Sequence, residues 1–122
     1  MSGDRHFLVL DELELEDHSW ASIAPRYGVT NPDPPWKVSL YATLECLSVG
    51  QVVDPLERRH EEDRLGPAVF PATAGPEQQL LCLAHIMMSR GLLDEATLAE
   101  RIRLVRARLE AGYTAAGSPA AQ

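Results

Sequence analysis

Pro55-Leu56-Glu57-Arg58-Arg59-His60-Glu61-Glu62-Asp63-Arg64-Leu65-Gly66-Pro67 reads as a short helix with both ends written into it. Asp54 stands at the N-cap, where a carboxylate accepts the first free backbone N–H groups. Pro55 takes the first helical position, where its fixed φ suits the helix and its missing N–H costs nothing. Glu57 completes a capping box. Gly66-Pro67 predicts a stop after residue 65. Between these signals the segment is dense in charge and has little apolar face, so it does not fill a core. It is either solvated and laced with ion pairs, such as Glu57 and Glu61 with Arg58 and Arg64, or its arginines meet a partner elsewhere.

Outward from this segment the pattern stays helical. Upstream, Trp36, Leu40, Leu44 and Leu47 recur at three- and four-residue steps and predict a helix over 35–49, stopped by Gly50. Downstream, a proline-rich loop over 68–75 leads to a helix over 76–90. Leu80, Leu81, Cys82, Leu83, Ala84, Ile86, Met87 and Met88 make it apolar on most sides, which marks it as the central helix. Gly91 stops it. Asp94 caps a last helix, with Leu93 and Leu98 placed as a hydrophobic staple. Leu98, Ile102, Val105 and Leu109 form its stripe, and Gly112 is its expected end. Residues 113–122 read as a flexible tail.

Residues 1–35 differ. They hold Pro25, Pro32, Pro34 and Pro35 and show no sustained helical period. The expectation is an extended N-terminal arm with at most a short helix. Its Phe7, Trp20 and Tyr27, followed by Trp36, require cover from this domain or from a partner. The fold class is therefore all-α: the arm, then about four helices over 36–112 forming an open cup around a partner subunit. There is no strand signal and no internal repeat.

Composition narrows the function. The chain has 122 residues, which fits one domain, and 45% of them are hydrophobic, which excludes disorder by composition. Its 18 acids against 11 bases give a net charge of -7. That balance argues against nucleic acid, which needs a basic footprint. The apolar runs fall far short of the ~20 residues that span a membrane. No cationic start precedes an apolar core, so no signal peptide is expected. Cys46 and Cys82 lie in apolar helical patterns and read as two reduced, buried thiols of a cytoplasmic protein. His6, His18, His60 and His85 form no ligand pair at helical spacing, so no metal site within this chain is expected. His85, on the central helix, reads as a core histidine with a backbone partner. No phosphate loop and no nucleophile elbow is present.

The run Glu57-Arg58-Arg59-His60 through Arg64-Leu65-Gly66-Pro67, then Leu80 to Met88, then Ser89-Arg90-Gly91-Leu92-Leu93, resembles the N-terminal helical part of the nitrile hydratase β subunit. Thr43-Leu44-Glu45-Cys46-Leu47 and the pattern from Arg101 to Gly112 resemble the three-subunit members of that family still more. Those are the thiocyanate hydrolase β subunit and the toyocamycin-type nitrile hydratase. The resemblance covers roughly 36–112.

It implies a non-metal-binding β-type subunit of a heteromeric enzyme that converts a small-molecule nitrile and water to an amide. The chain would bind no cofactor itself and would be inactive alone. Cobalt(III), or iron, would sit in a partner α subunit, in a claw of cysteines of which two are oxidised. Counting back from Gly66-Pro67, the family arginine that hydrogen-bonds those oxidised sulfurs falls on Arg59. Arg58 takes the pocket-side position beside it. Where family members carry a tyrosine pair and a tryptophan, this chain has Gly75, Pro76 and Gln79. Small or polar groups there imply a wider pocket at Gly75 and Gln79 and a bulkier nitrile. The family's β-barrel half is expected on a third subunit. An alternative implied by the same resemblance is an activator that assists metal loading of the α subunit. A further reading, outside enzymes, is a small helical interaction protein.

Overall fold

The computed structural model describes residues 5–16 and 19–115. They are all-helical, with no strand among them. The elements are α1 (Leu8–Leu15), α2 (Trp20–Ile23), a 3-10 turn (Ala24–Tyr27), α3 (Lys37–Val49), α4 (Pro55–Val69), α5 (Gly75–Ser89) and α6 (Glu95–Ala115).

α5 is the centre, as its apolar composition predicts. Leu81, Cys82, Ile86 and Met88 face the main core with Leu65, Val69 and Phe70 of the α4 end and Phe7, Val9 and Leu10 of the N-terminal segment. Leu83 faces the other way and meets Leu40 and Leu44 of α3, with Trp36, Leu47 and Met87 around them. The predicted stripe of α3 is thus the face it buries. Leu93 and Leu98, the two residues of the expected staple, both pack against the main core. Asp94 accepts the Thr97 N–H and hydroxyl at 2.9 Å each, and that amide holds its carboxyl below the ordinary value.

Four expectations need correction. The segment over 1–35 holds more than the one short helix expected of it: α2 and the 3-10 turn follow α1, which buries Val9 and Leu10. Acids alternate with its leucines, and this hid the period. The carboxylates instead reach distant groups. Glu14 accepts the Ala72 N–H at 3.0 Å, and Glu16 takes Arg106 at 3.1 Å. Second, α4 runs to Val69, through Gly66-Pro67. Gly66 lacks the Cβ that a following proline would crowd, and Pro67 lies on the exposed side. Third, Gly50 ends α3 with φ −75°, and Gln51 takes the left-handed turn instead at φ 60°. Gly91 does act as read, at φ 73°, with the Leu92 N–H closing back on the Met87 carbonyl at 2.8 Å. Fourth, α6 passes Gly112 and reaches Ala115, so residues 113–115 of the expected tail are helical. Residues 116–122 of that tail, and His18, lie outside the described residues.

Candidate functional site

The N-cap of α4 forms as read. The Asp54 carboxylate accepts the Leu56 and Glu57 N–H groups at 3.1 and 3.0 Å. The other half of the capping box does not form. Glu57 instead takes the Arg90 guanidinium at 3.2 Å and ties the start of α4 to the end of α5.

The charged residues of α4 divide into a held set and a loose set. Arg58 belongs to the held set. Its Nη1 donates to Glu62 Oε2 at 2.7 Å, and the two side chains are only 20% and 16% exposed. Gln79 of α5 approaches the same oxygen at 3.4 Å. Arg58 and Gln79 are therefore brought together through Glu62. Arg64 pairs with Glu61 one turn further on. Arg59 belongs to the loose set. Its side chain is 73% exposed, and its Nε stands 3.6 Å from Asp63, too far for a hydrogen bond. An exposed pair of that kind contributes well under ~1 kcal/mol, so Arg59 can leave Asp63 for a better acceptor at little cost.

Gly75 opens α5 at φ 66°, a conformation that favours glycine. It is exposed and lies one turn before Gln79. Glu77, between them, accepts the Trp20 N–H at 2.6 Å. Sequence reasoning passed over Glu62. The signal was available, because Arg58 and Glu62 stand at i, i+4, but five neighbouring charges offered competing pairings.

Behind this face lies the thiol of Cys82. Burial pushes it up to about 12, and the carboxylates of Glu62 and Glu61 add to the effect. A thiol held protonated in this way is no nucleophile. Cys46 departs from its expected burial. Both thiols are free, but Cys46 is exposed, because it lies off the face of α3 that meets α5.

His85 is a core residue with a backbone partner, as read. It is 1% exposed, and its Nε2–H donates to the Arg5 carbonyl at 2.5 Å. Its Nδ1 takes the Ser89 hydroxyl at 3.3 Å. The rings of Phe7 and Phe70 meet it edge-on, at 5.1 and 6.1 Å between centroids.

No group of three or more metal-ligating side chains is placed to hold an ion among the described residues. Two surface hollows, of about 320 and 710 Å3, lie along α1 and α6. None of Arg58, Arg59, Gly75 and Gln79 lines either. No helix among the described residues is long and apolar enough to cross a membrane. No protein-family model, curated protein or solved structure matches the chain.

Proposed function

We propose that the chain is the pocket-wall subunit of a heteromeric, cytoplasmic nitrile hydratase-like enzyme. The observation that carries this reading is the state of Arg59: charged, exposed and committed to nothing stronger than a 3.6 Å approach to Asp63. The resemblance of 36–112 adds the acceptor, an oxidised cysteine sulfur on a metal-binding α subunit. Sulfinate and sulfenate are oxyanions, and the guanidinium fork can donate two N–H groups to one of them at once. Arg59 would orient those ligands, and its positive charge would stabilise their ionised form. Bound in the partner, the metal would supply Lewis-acid activation. Arg58 is the wrong group for that contact, because Glu62 already occupies one edge of its fork. It stiffens the wall instead, and Gln79 and Gly75 leave room for a bulky nitrile. The helices would wrap the α subunit as an open cup, with a third subunit carrying the β-barrel half.

The test is assembly followed by turnover. The chain is co-produced with its neighbouring gene products, and the purified complex is assayed for metal, stoichiometry and nitrile hydration. A stable, metal-containing complex that hydrates nitriles is expected. Arg59→Lys keeps the charge but loses the fork, and should lower hydration roughly 10–100-fold, the usual effect of removing a partner of a metal ligand. Hydration unchanged by Arg59→Lys would show that Arg59 does not serve the site. A chain that leaves once the metal is loaded would be an activator, not a subunit.

A further inference from the structure

α3 is apolar on two opposite faces. Leu40 and Leu44 are buried and meet Leu83 of α5, with Trp36 and Leu47 beside them. At 3.6 residues per turn, Val38, Ala42 and Val49 stand on the other side of the helix. All three are exposed, Val38 by 79% and Val49 by 73%. A helix that is apolar on both sides calls for cover on both.

Glu45 stands in the same outer strip and is exposed. Its carboxylate has no hydrogen bond or ion pair among the described residues. The Tyr41 hydroxyl, one turn earlier on the same edge, has no hydrogen bond among them either. Lys37 Nζ stands 5.4 Å from the centre of the Tyr41 ring and donates to Asp33 at 2.9 Å. The edge therefore carries a free carboxylate toward its C-terminal end. Toward its N-terminal end it carries a hydroxyl donor with a cation beside it.

The spacing of the strip decides what covers it. Val38, Ala42, Glu45 and Val49 follow one another at steps of four, three and four, which read the same in either direction. A two-fold axis demands such a surface, because it lays the strip on its own reverse. Reversal sets Val38 on Val49 at both ends and Ala42 on Glu45 in the middle. The small Ala42 side chain lets the helices approach and leaves Glu45 to turn out along the edge. There it meets the Tyr41 hydroxyl of the other copy, so donor faces acceptor and the cationic end faces the acid.

We propose that the chain forms a two-fold dimer through α3, with the two copies of the helix antiparallel. Val38 packs on Val49 of the other copy, and Glu45 accepts from its Tyr41, twice each. The proposal uses α3 alone and is independent of the role of Arg59.

Sedimentation velocity on the full chain is the first test. The wild-type chain should sediment as two copies at the top of a concentration series and as one on dilution. Val38→Asp sets a carboxylate against Val49 at both ends and should weaken the dimer at least tenfold, or about 1.4 kcal/mol. Cross-linking then reads the direction. Cys46, the exposed one of the two thiols, is first removed as Cys46→Ser. Val38→Cys and Val49→Cys are made separately in that background, both at exposed positions that leave the core intact. Antiparallel packing puts position 38 of one copy across a single gap of about 8–10 Å from position 49 of the other. It puts the two positions 38 roughly 16 Å apart along the axis, eleven residues at about 1.5 Å each. A bis-maleimide no longer than the gap should join a mixture of the two variants and neither variant alone. A wild-type chain that stays single at every concentration overturns the proposal, and leaves the strip to a different protein. A dimer indifferent to Val38→Asp, a variant that cross-links to itself, or a mixture that does not cross-link overturns it too.

Discussion

Cys46 and Cys82 are the same residue type on two neighbouring helices, and their positions give them opposite chemistry. Thiolate is the reactive form. Cys82 is buried against Glu62 and Glu61 and keeps its proton up to about 12, whereas Cys46 is exposed. Maleimide at neutral pH should therefore label one thiol in the folded chain and two in urea, with the native label on Cys46 by peptide mapping. The same shift links stability to pH. In the unfolded chain Cys82 titrates near its ordinary value of 9, while in the folded chain it holds its proton to about 12. Between those values the folded state binds more protons, so stability must fall as pH rises. Urea midpoints measured from pH 8 to 11 should decline, and Cys82→Ala should flatten the decline. Equal slopes for both proteins would show that Cys82 is not responsible.

At the level of single elements, the helices that announce themselves in the sequence do so through caps and stripes, and the misread ends have specific causes. Asp54, Asp94 and Gly91 are local signals whose partners lie within one turn, so they could be read directly. Gly66 is different, because its reason lies on α5. A Cβ placed there would stand 2.8 Å from Gln78 Oε1, and the Gln78 amide is committed to the Phe70 and Thr73 carbonyls at 3.1 and 2.7 Å. Alanine would gain about 1 kcal/mol of helix propensity. It would displace two hydrogen bonds worth about 1 kcal/mol each, with a steric cost added. Gly66→Ala should thus destabilise the chain by about 1 kcal/mol net, read from denaturant midpoints. In a Gln78→Ala background the same change should cost less, leaving only the crowding of the new Cβ against Pro67 set against the gain in helix propensity. At Gln51 the sign reverses. A non-glycine residue at φ 60° carries a cost of roughly 1–2 kcal/mol, partly offset because glycine is freer in the unfolded chain. Gln51→Gly should raise the midpoint modestly.

For the whole molecule, the central position of α5 was legible because it is apolar on most sides, and a helix like that is stable only when surrounded. The place of α1 was not legible, because its justification is entirely long-range. Phe7 and Leu10 reach the core, the Arg5 carbonyl meets His85, and Glu14 and Glu16 bind loop and helix residues far along the chain. The candidate site was legible as a list of residues but not as an arrangement. Arg58 and Arg59 are adjacent in sequence, yet the turn of the helix points one at Glu62 and Gln79 and the other at solvent. The α1 contacts also set what the N-terminal segment is for. A segment that served only to wrap another subunit could be removed without effect on the isolated chain. A segment that closes the core could not, because its loss would uncover Phe70, His85 and Ile86, all nearly fully buried. Phe7→Ala should destabilise the isolated chain by about 3–5 kcal/mol, the cost of emptying a large buried site. Removal of residues 1–16 should abolish cooperative thermal unfolding by circular dichroism. An isolated chain that melts unchanged without them would place the segment's role on a partner instead.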